Sequence, residues 1–208
     1  LATAVLIAPL RSPALLAKTA ASLDAISNGR LELGVGLGWQ EEEYEASGIS
    51  FDQRAKIFWE TLDICQSLWR GGPVSHKGEI FEFNDIWCHP IPPQGTDIPL
   101  LFGVKMTESN AQKIAKIGHG WIPIKTSRDF ISEGSEKLNN AFKEAGRDDK
   151  PRIRGQLPTC VDSNGVPSVD LTLKELEKSM EAGLEEIEVF PINFAQSPDH
   201  LREVLELI

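Results

Sequence analysis

The stretch LELGVGLGW at residues 31–39 joins an apolar run to three alternating glycines, Gly34, Gly36 and Gly38. The apolar run predicts a buried strand, and the glycines fall at its carboxyl end, where parallel α/β folds bind ligands. Glycines there let a backbone approach a flat or phosphorylated ligand closely. A dinucleotide fingerprint would run directly into an apolar helix, whereas residues 40–44 are polar, which disfavours a Rossmann site. The alternative to a ligand site is that the glycines only relieve crowding at a strand end.

Outward from this stretch, short apolar runs alternate with segments of helical periodicity along the chain. This alternation predicts βα units around a parallel sheet. The predicted strands are 3–8, 31–35, 99–103, 120–124, 152–161 and 185–192. The predicted helices that follow them are 13–27, 58–69, 109–117, 127–145, 172–182 and 199–207. Residues 74–87 interrupt the succession of βα units. Apolar and polar residues alternate in this segment, which predicts a β-hairpin between two units.

Length and composition predict one globular domain over residues 1–208. Hydrophobic residues make up 41% of the chain and charged residues 25%, which excludes intrinsic disorder. Lys and Arg total 21 against 31 Asp and Glu, so the formal net charge is −10. Such an acidic chain repels phosphate backbones, and a nucleic-acid partner is not expected.

The sequence lacks the usual signatures of metal binding, membrane insertion and secretion. Its cysteines, Cys65, Cys88 and Cys160, form no C-x-x-C pair, and its histidines show no H-E-x-x-H spacing. No apolar run approaches the ~20 residues that span a bilayer, and residues 1–16 do not resemble a signal peptide. We therefore expect a protein of the reducing cytoplasm with no metal and no membrane partner.

A second candidate site lies at residues 102–107, where a strand end is followed by Gly103, Lys105 and a helix start at Thr107. Unpaired amides at a helix N-terminus, together with an ammonium group, form a suitable phosphate cradle. An ordinary βα turn with a solvated lysine explains the same residues equally well. The acidic run at residues 41–43 is interpreted as a solvated face.

Read together, several motifs resemble the luciferase-like monooxygenase family in order and spacing over nearly the whole chain. They are TAV at 3–5, PLRSP at 9–13, LD at 23–24, NGRL at 28–31, GVGLGW at 34–39, EY at 43–44, LW at 68–69, GEIF at 78–81 and GHGWIP at 118–123. The resemblance is greatest to the branch of probable deazaflavin-dependent oxidoreductases.

The resemblance implies a (β/α)8 TIM barrel with an insertion after the fourth strand. The six predicted strands would then be barrel strands three to eight, with the first two βα units lacking. The family's usual catalytic histidine and tryptophan positions lie largely in those first units, so the catalytic residues are unknown. We also expect residues 1–208 alone to be an inactive, self-associating fragment, because an open barrel leaves strand edges unpaired.

The resemblance also implies a cofactor site. Ala4 and Val5 match a strand position where relatives hold a non-proline cis peptide behind the isoalloxazine or deazaflavin ring. Leu37 and Gly38 match positions that line the same ring. Gly103, Val104, Lys105 and Thr107 match the phosphate-binding strand end. Trp39 stands where some sugar-phosphate dehydrogenase relatives carry an acidic proton donor, which argues against that substrate.

The implied cofactor is coenzyme F420, a 5-deazaflavin, or FMN. The implied function is an oxidoreductase that transfers a hydride to or from a small organic substrate. A reduced-flavin monooxygenase that activates oxygen is the alternative of the same fold, and a non-catalytic flavin-binding barrel subunit is the alternative of another class. The resemblance further suggests a homodimer.

Overall fold

A computed structural model of the chain describes residues 1–156, 158–195 and 197–207. The chain divides into two compact units, Leu1–Gly103 and Val104–Ile208. Both units combine parallel strands with helices, which confirms the predicted α/β class. Within the described residues, no helix is both long enough and apolar enough to cross a membrane.

The first unit contains three parallel strands and a separate hairpin. In chain order its elements are β1 (Ala2–Ile7), a 3-10 turn (Ala8–Leu10), α1 (Pro13–Ile26), β2 (Glu32–Gly36), α2 (Glu41–Ala46), α3 (Arg54–Trp69), β3 (Val74–Lys77), β4 (Glu82–Ile86), a 3-10 turn (Gly95–Asp97) and β5 (Leu100–Gly103). Strand β2 lies between β1 and β5 and is parallel to both. Strands β3 and β4 pair antiparallel in a sheet of their own, within the segment where the sequence predicts a hairpin.

The second unit continues the alternation of strands and helices. Its elements are α4 (Glu108–Ile117), β6 (Gly120–Trp121), α5 (Arg128–Glu144), β7 (Arg152–Gln156), α6 (Val169–Glu181), β8 (Glu186–Glu188), a 3-10 turn (Pro191–Asn193) and α7 (Pro198–Leu207). Strand β7 pairs in parallel with β6 on one side and with β8 on the other. The predicted order of strands and helices is therefore confirmed.

Three predicted strands are shorter in the structure than the apolar runs suggested. Strand β6 ends at Trp121, two residues before Pro123, and β8 ends before the 3-10 turn that begins at Pro191. A proline lacks the N–H that a strand ladder needs, and its ring fixes φ. The predicted strand 152–161 ends at Gln156, and its next residue, 157, lies outside the described residues.

The core of the first unit fixes which face of the sheet carries the helices. Phe102 of β5 stacks on Trp59 of α3 with ring centroids 5.4 Å apart, and it meets Phe58 edge-on at 6.1 Å. Successive side chains of a strand point to opposite faces. A side chain at position 103, next to Phe102, would therefore point to the face of the sheet away from α3.

A buried carboxylate joins α1 to the segment that precedes β5. Asp24 is fully buried, and its oxygens accept hydrogen bonds from the Gln94 N–H at 3.0 Å, the Gln94 side-chain amide at 2.8 Å and the Leu31 N–H at 3.3 Å. The chain can return to Leu31 because Asn28 and Gly29 adopt φ values of 57° and 72°. The LD and NGRL motifs thus form one structural unit at the entrance to β2.

Replacing Asp24 tests this connection. Asp24→Ala leaves the backbone N–H groups of Leu31 and Gln94 without their acceptor, and each buried unsatisfied group costs about 1–3 kcal/mol. We expect the free energy of unfolding to fall by about 2–4 kcal/mol, as measured by urea denaturation. The matched control is Asp97→Ala, which removes an exposed carboxylate and should change stability by less than about 0.5 kcal/mol. Equal losses in the two variants would contradict the assignment.

Candidate functional site

The carboxyl ends of the three parallel strands of the first unit bring Ile7, Gly36 and Gly103 into one row. Ile7 of β1 is in register with Gly36 of β2, and Gly36 is in register with Gly103 of β5. Ligand sites of parallel α/β folds lie at this edge. Two of the three residues in the row are glycines, so no side chain at those two positions fills the space at the strand ends.

The side chain of Val5 fills the space above the two glycines. A Cβ atom added at Gly36 would lie 2.6 Å from Val5 Cγ2, and one added at Gly103 would lie 2.8 Å from Val5 Cγ1. Real Cβ atoms do not approach other atoms so closely, so Val5 can occupy this position only because both residues are glycine. The Ala4–Val5 peptide bond is cis, as the family resemblance implies. Val5 is 37% exposed, so part of its apolar side chain is accessible over the two glycines, and we refer to this surface as the platform.

The loop after β2 is held beside this platform. Gly38 has φ +70°, and a Cβ atom there would lie 3.0 Å from Ile7 Cγ2, so the loop packs closely on the end of β1. The hydroxyl of Tyr44 in α2 donates a hydrogen bond to the Leu37 carbonyl. Burial raises the pKa of Tyr44, although the nearby Arg54 charge opposes the rise. The sequence did not predict α2, and its single buried residue, Tyr44, serves to fix this loop.

The polar face of α2 carries the acidic run at residues 41–43, which is exposed as predicted. Trp39, next to Gly38, is 84% exposed. The loop therefore presents a large free indole beside a position that the resemblance assigns to the ring.

The second unit begins with the predicted phosphate segment. Val104 is buried, and its carbonyl accepts a 2.8 Å hydrogen bond from Trp121 Nε1. Thr107 is the N-cap of α4, since its hydroxyl accepts a hydrogen bond from the Asn110 N–H at 3.2 Å. The Asn110 side-chain amide donates to the Lys105 carbonyl at 2.9 Å, and the Lys105 side chain is exposed. The structure thus presents a helix N-terminus and an exposed ammonium group in one segment.

An apolar pocket of about 410 Å³ lies within the first unit, beyond the end of β1. Its lining residues come from the 3-10 turn and its flank, the loop after α2, α3 and the hairpin: Pro9, Arg11, Ser12, Gly48, Ile49, Ser50, Ile57, Ile80 and Phe81. Arg11 supplies a cation to this pocket, and its guanidinium donates to the Ile7 carbonyl at 2.7 Å. The pocket suits an organic molecule of modest size that has one polar group.

Glu60 of α3 fixes the hairpin wall of this pocket. Its carboxylate accepts hydrogen bonds from the Phe81 N–H at 2.8 Å and the Ile80 N–H at 3.1 Å, and it lies 3.1 Å from His76 Nε2. Burial alone would raise the pKa of Glu60, but these hydrogen bonds outweigh it and hold the pKa below its ordinary value. Glu60 lies about 20 residues before Ile80 and Phe81 in the sequence, and hydrophobic periodicity does not predict a contact between them.

A charged cluster occupies neighbouring positions of β7 and β8 in the second unit. Glu186 forms ion pairs with Arg152 and Arg154, and Arg154 is 92% buried. Burial raises the pKa of Glu188, which ends β8, although the Arg154 charge opposes the rise. Glu188 therefore keeps its proton to a higher pH than an ordinary carboxyl group. The R-x-R and E-x-E patterns of the two strands were the available sequence signal for this cluster.

The structure brings together some of the predicted site residues and leaves others separate. Val5, Gly36 and Gly103 meet directly, and Gly38 joins them through Ile7. Val104, Lys105 and Thr107 form the start of the second unit and are described only within it. Among the described residues, no group of three or more His, Cys, Asp or Glu side chains could hold a metal ion.

Comparison with known proteins assigns the fold and the family. A family profile described as luciferase-like monooxygenase matches residues 1–166. An uncharacterized protein of Mycobacterium tuberculosis is 38% identical over 154 residues, which are 74% of this chain and 54% of that protein. The chain therefore spans about half the length of this relative.

Two solved structures share the fold at low sequence identity. The coenzyme F420-dependent tetrahydromethanopterin reductase of Methanopyrus kandleri has a TM-score of 0.74 at 16% identity, and the match covers 98% of this chain and 79% of that one. The oxygenating constituent of 3,6-diketocamphane monooxygenase from Pseudomonas putida, solved with FMN, has a TM-score of 0.64 at 21% identity, covering 77% and 49%.

The contact between Val5 and Gly103 yields a direct prediction. Gly103→Ala forces the new Cβ against Val5 Cγ1 and should lower the free energy of unfolding by about 1–3 kcal/mol. Val5→Ala removes both Cγ atoms, so the cost of Gly103→Ala should be smaller by at least about 0.5 kcal/mol in the Val5→Ala background. A double-mutant cycle by urea denaturation measures this coupling. Additive effects of the two substitutions would contradict the packing described.

Proposed function

The chain belongs to the luciferase-like monooxygenase family, and on that premise we propose that it is a flavin- or deazaflavin-dependent oxidoreductase that transfers a hydride to or from a small organic substrate. The observation that carries this proposal is the position of Val5 over Gly36 and Gly103. A half-exposed apolar side chain, raised above the ends of parallel strands, is suited to support the face of a flat ring. Coenzyme F420 and FMN both carry such a ring.

The residues present fit a cofactor of this kind. Ala4, Val5, Leu37 and Gly38 would support its ring. Added side chains at Gly36 and Gly103 would displace Val5, so those glycines keep the platform in place. The helix start would hold its phosphate, through backbone groups from Gly103 and Val104 onward, the Lys105 ammonium and the Thr107 cap.

When bound, the cofactor supplies a ring that accepts or delivers a hydride. The chain's own part would be to orient that ring and to exclude water from one of its faces, through apolar contact with the Val5 methyl groups and the adjacent Ile7 side chain. Tyr44 prevents the Leu37–Gly38 loop from moving away, because its hydroxyl is hydrogen bonded to the Leu37 carbonyl.

The pocket walled by Ile49, Ile57 and Phe81 is the proposed place for the substrate. Its apolar lining favours a hydrocarbon body, and the Arg11 guanidinium favours a carbonyl, hydroxyl or carboxylate group on it. Since Glu60 fixes the Ile80–Phe81 wall, the pocket is preformed.

A reduced-flavin monooxygenase is the second candidate function, because the chain shares its fold with an FMN-containing monooxygenase. We propose the cytoplasm as the setting, since Cys65, Cys88 and Cys160 are all free thiols in the structure. A homodimer stays a prediction from the family resemblance.

Cofactor titration tests the proposed function. The full-length protein is titrated with coenzyme F420 and with FMN while ring absorbance and fluorescence are followed. We expect saturable binding of at least one cofactor, and Val5→Asp should weaken it about tenfold or more, because a charge would then lie under the ring. Preference for F420 supports hydride transfer, and preference for FMN supports the monooxygenase. Binding of neither would overturn both and leave a non-catalytic barrel.

A further inference from the structure

The pocket at the end of β1 carries a positive charge that its lining does not neutralise. Among the described residues that line it, Arg11 is the one ionisable residue, and the others are apolar residues, glycine and serine. The chain as a whole has a net charge of −10. This pocket is therefore a local cationic site on an acidic protein, and we refer to it as the Arg11 pocket.

The guanidinium of Arg11 is anchored but has no carboxylate partner. Its Nη1 donates a hydrogen bond to the Ile7 carbonyl at 2.7 Å, which holds the group at the end of β1. A guanidinium has five N–H donors, so four remain for a ligand. Within residues 1–156, 158–195 and 197–207, which the structure describes, no carboxylate forms an ion pair with Arg11.

The carboxylate that fixes one wall of the Arg11 pocket is engaged elsewhere. Both oxygens of Glu60 accept hydrogen bonds from backbone N–H groups of Ile80 and Phe81, and one of them lies 3.1 Å from His76 Nε2. Glu60 is not itself among the lining residues. It therefore holds the hairpin in place and does not supply the counter-charge for Arg11.

The remainder of the Arg11 pocket suits a hydrocarbon group. Ile49, Ile57 and Phe81 contribute apolar walls from the loop after α2, from α3 and from the hairpin. The volume of about 410 Å³ is typical of pockets that bind small organic molecules. Ser12, next to Arg11, precedes α1 but its hydroxyl makes no capping hydrogen bond, so it is available as a second donor.

We propose that the substrate is a carboxylic acid with a hydrocarbon body, which the Arg11 pocket binds as the carboxylate. A neutral carbonyl or hydroxyl group can accept a hydrogen bond from Arg11 but leaves its charge unbalanced. A carboxylate balances that charge and accepts two parallel hydrogen bonds from the planar guanidinium, and such charge-assisted bonds are roughly twice as strong as neutral ones. The inference rests on the proposed function, whose substrate it assigns to one chemical class.

The position of Arg11 also limits which carbon of the acid can react. Arg11 is hydrogen bonded to Ile7, which lies two residues after Val5, and two residues of a strand span about 7 Å. A carboxylate at Arg11 is therefore held about that far from the platform along β1. The reacting carbon is separated from the carboxylate by several carbon atoms, and a 2-oxo acid is too short to reach both places.

The first experiment compares octanoate with octanamide, which has the same hydrocarbon chain and no charge. Each is titrated, without cofactor, into full-length protein with isotope-labelled isoleucine methyls, and NMR follows the Ile49 and Ile80 signals. We expect octanoate to bind about five- to tenfold more tightly. The signal of Ile26, which is 82% exposed and lies outside the pocket, should stay unchanged. Equal affinities, or equal shifts at Ile26, overturn the proposal.

Variants separate the charged end of the pocket from its apolar walls. Arg11→Gln should lose about five- to tenfold in affinity for octanoate and less than about twofold for octanamide. Ile49→Ala should weaken both ligands alike, by about two- to fivefold, because it removes only apolar contact. An equal loss of both ligands in Arg11→Gln would mean that Arg11 only supports the strand end, and would overturn the proposal.

The matched control is Arg70→Gln, which removes the same charge from an exposed position of the first unit outside the pocket. It should leave both affinities unchanged, and a loss equal to that of Arg11→Gln contradicts the proposal.

A series of acids tests the hydrocarbon walls. From butanoate through hexanoate to octanoate, affinity should rise by about two- to fourfold for each added methylene. Inorganic phosphate, which has charge but no hydrocarbon, should bind at least about tenfold more weakly than octanoate. A flat series, or phosphate that binds as tightly as octanoate, would reveal bare charge attraction and overturn the proposal.

The cofactor titration distinguishes failure of this inference from failure of the proposed function. If a cofactor binds but octanoate does not, the acid class is wrong and the proposed function stands. If octanoate binds as expected but neither cofactor does, the proposed function is wrong, and the assignment of the acid as a substrate falls with it.

Discussion

The side chain of Val5 can lie across two neighbouring strand ends only because the residues beneath it, Gly36 and Gly103, have none. This steric constraint links the three parallel strands of the first unit at the edge where α/β folds bind ligands. It also explains why the glycines alternate in the GVGLGW motif. Val35 points into the core, and Gly36 leaves room for a side chain from β1. The platform, the loop after β2 and the proposed ring position all depend on that space.

Buried or half-buried polar groups hold the loops around this platform. Asp24 fixes the approach to β2 and β5 through Leu31 and Gln94, Tyr44 fixes the loop after β2, and Glu60 fixes the hairpin. Each of them binds backbone groups that the strands and helices leave unpaired. Loops tied in this way present ligand-binding groups in defined positions, which is what pre-organised binding requires. The second unit uses a different device, the buried Trp121 indole, which donates a hydrogen bond to the Val104 carbonyl and packs against Gly134 of α5.

The sequence predicted the order of strands and helices because periodicity and glycine placement are local signals. The expected ring position came only from the family resemblance, whereas the phosphate segment at residues 102–107 also had a local signal in its glycine, its lysine and its helix start. The sequence did not predict α2, since this short acidic helix depends on one buried tyrosine rather than on an apolar stripe. It predicted strands that are too long near Pro123 and Pro191. The apolar content of these segments favours a strand, but proline has no N–H to donate to the strand ladder. No sequence pattern indicated the pocket that Lys105, Lys125 and Lys137 line, since these residues are brought together only by the fold.

The central claim is that Val5 supports the cofactor ring, and NMR of the methyl groups tests it most directly. The protein is prepared with isotope-labelled valine methyls, and Val5→Ala identifies the Val5 signals. On addition of coenzyme F420 or FMN, the account predicts large shifts of both Val5 methyl signals, together with nuclear Overhauser effects to the ring protons. A cofactor that binds while the Val5 methyl signals stay unchanged would contradict the account.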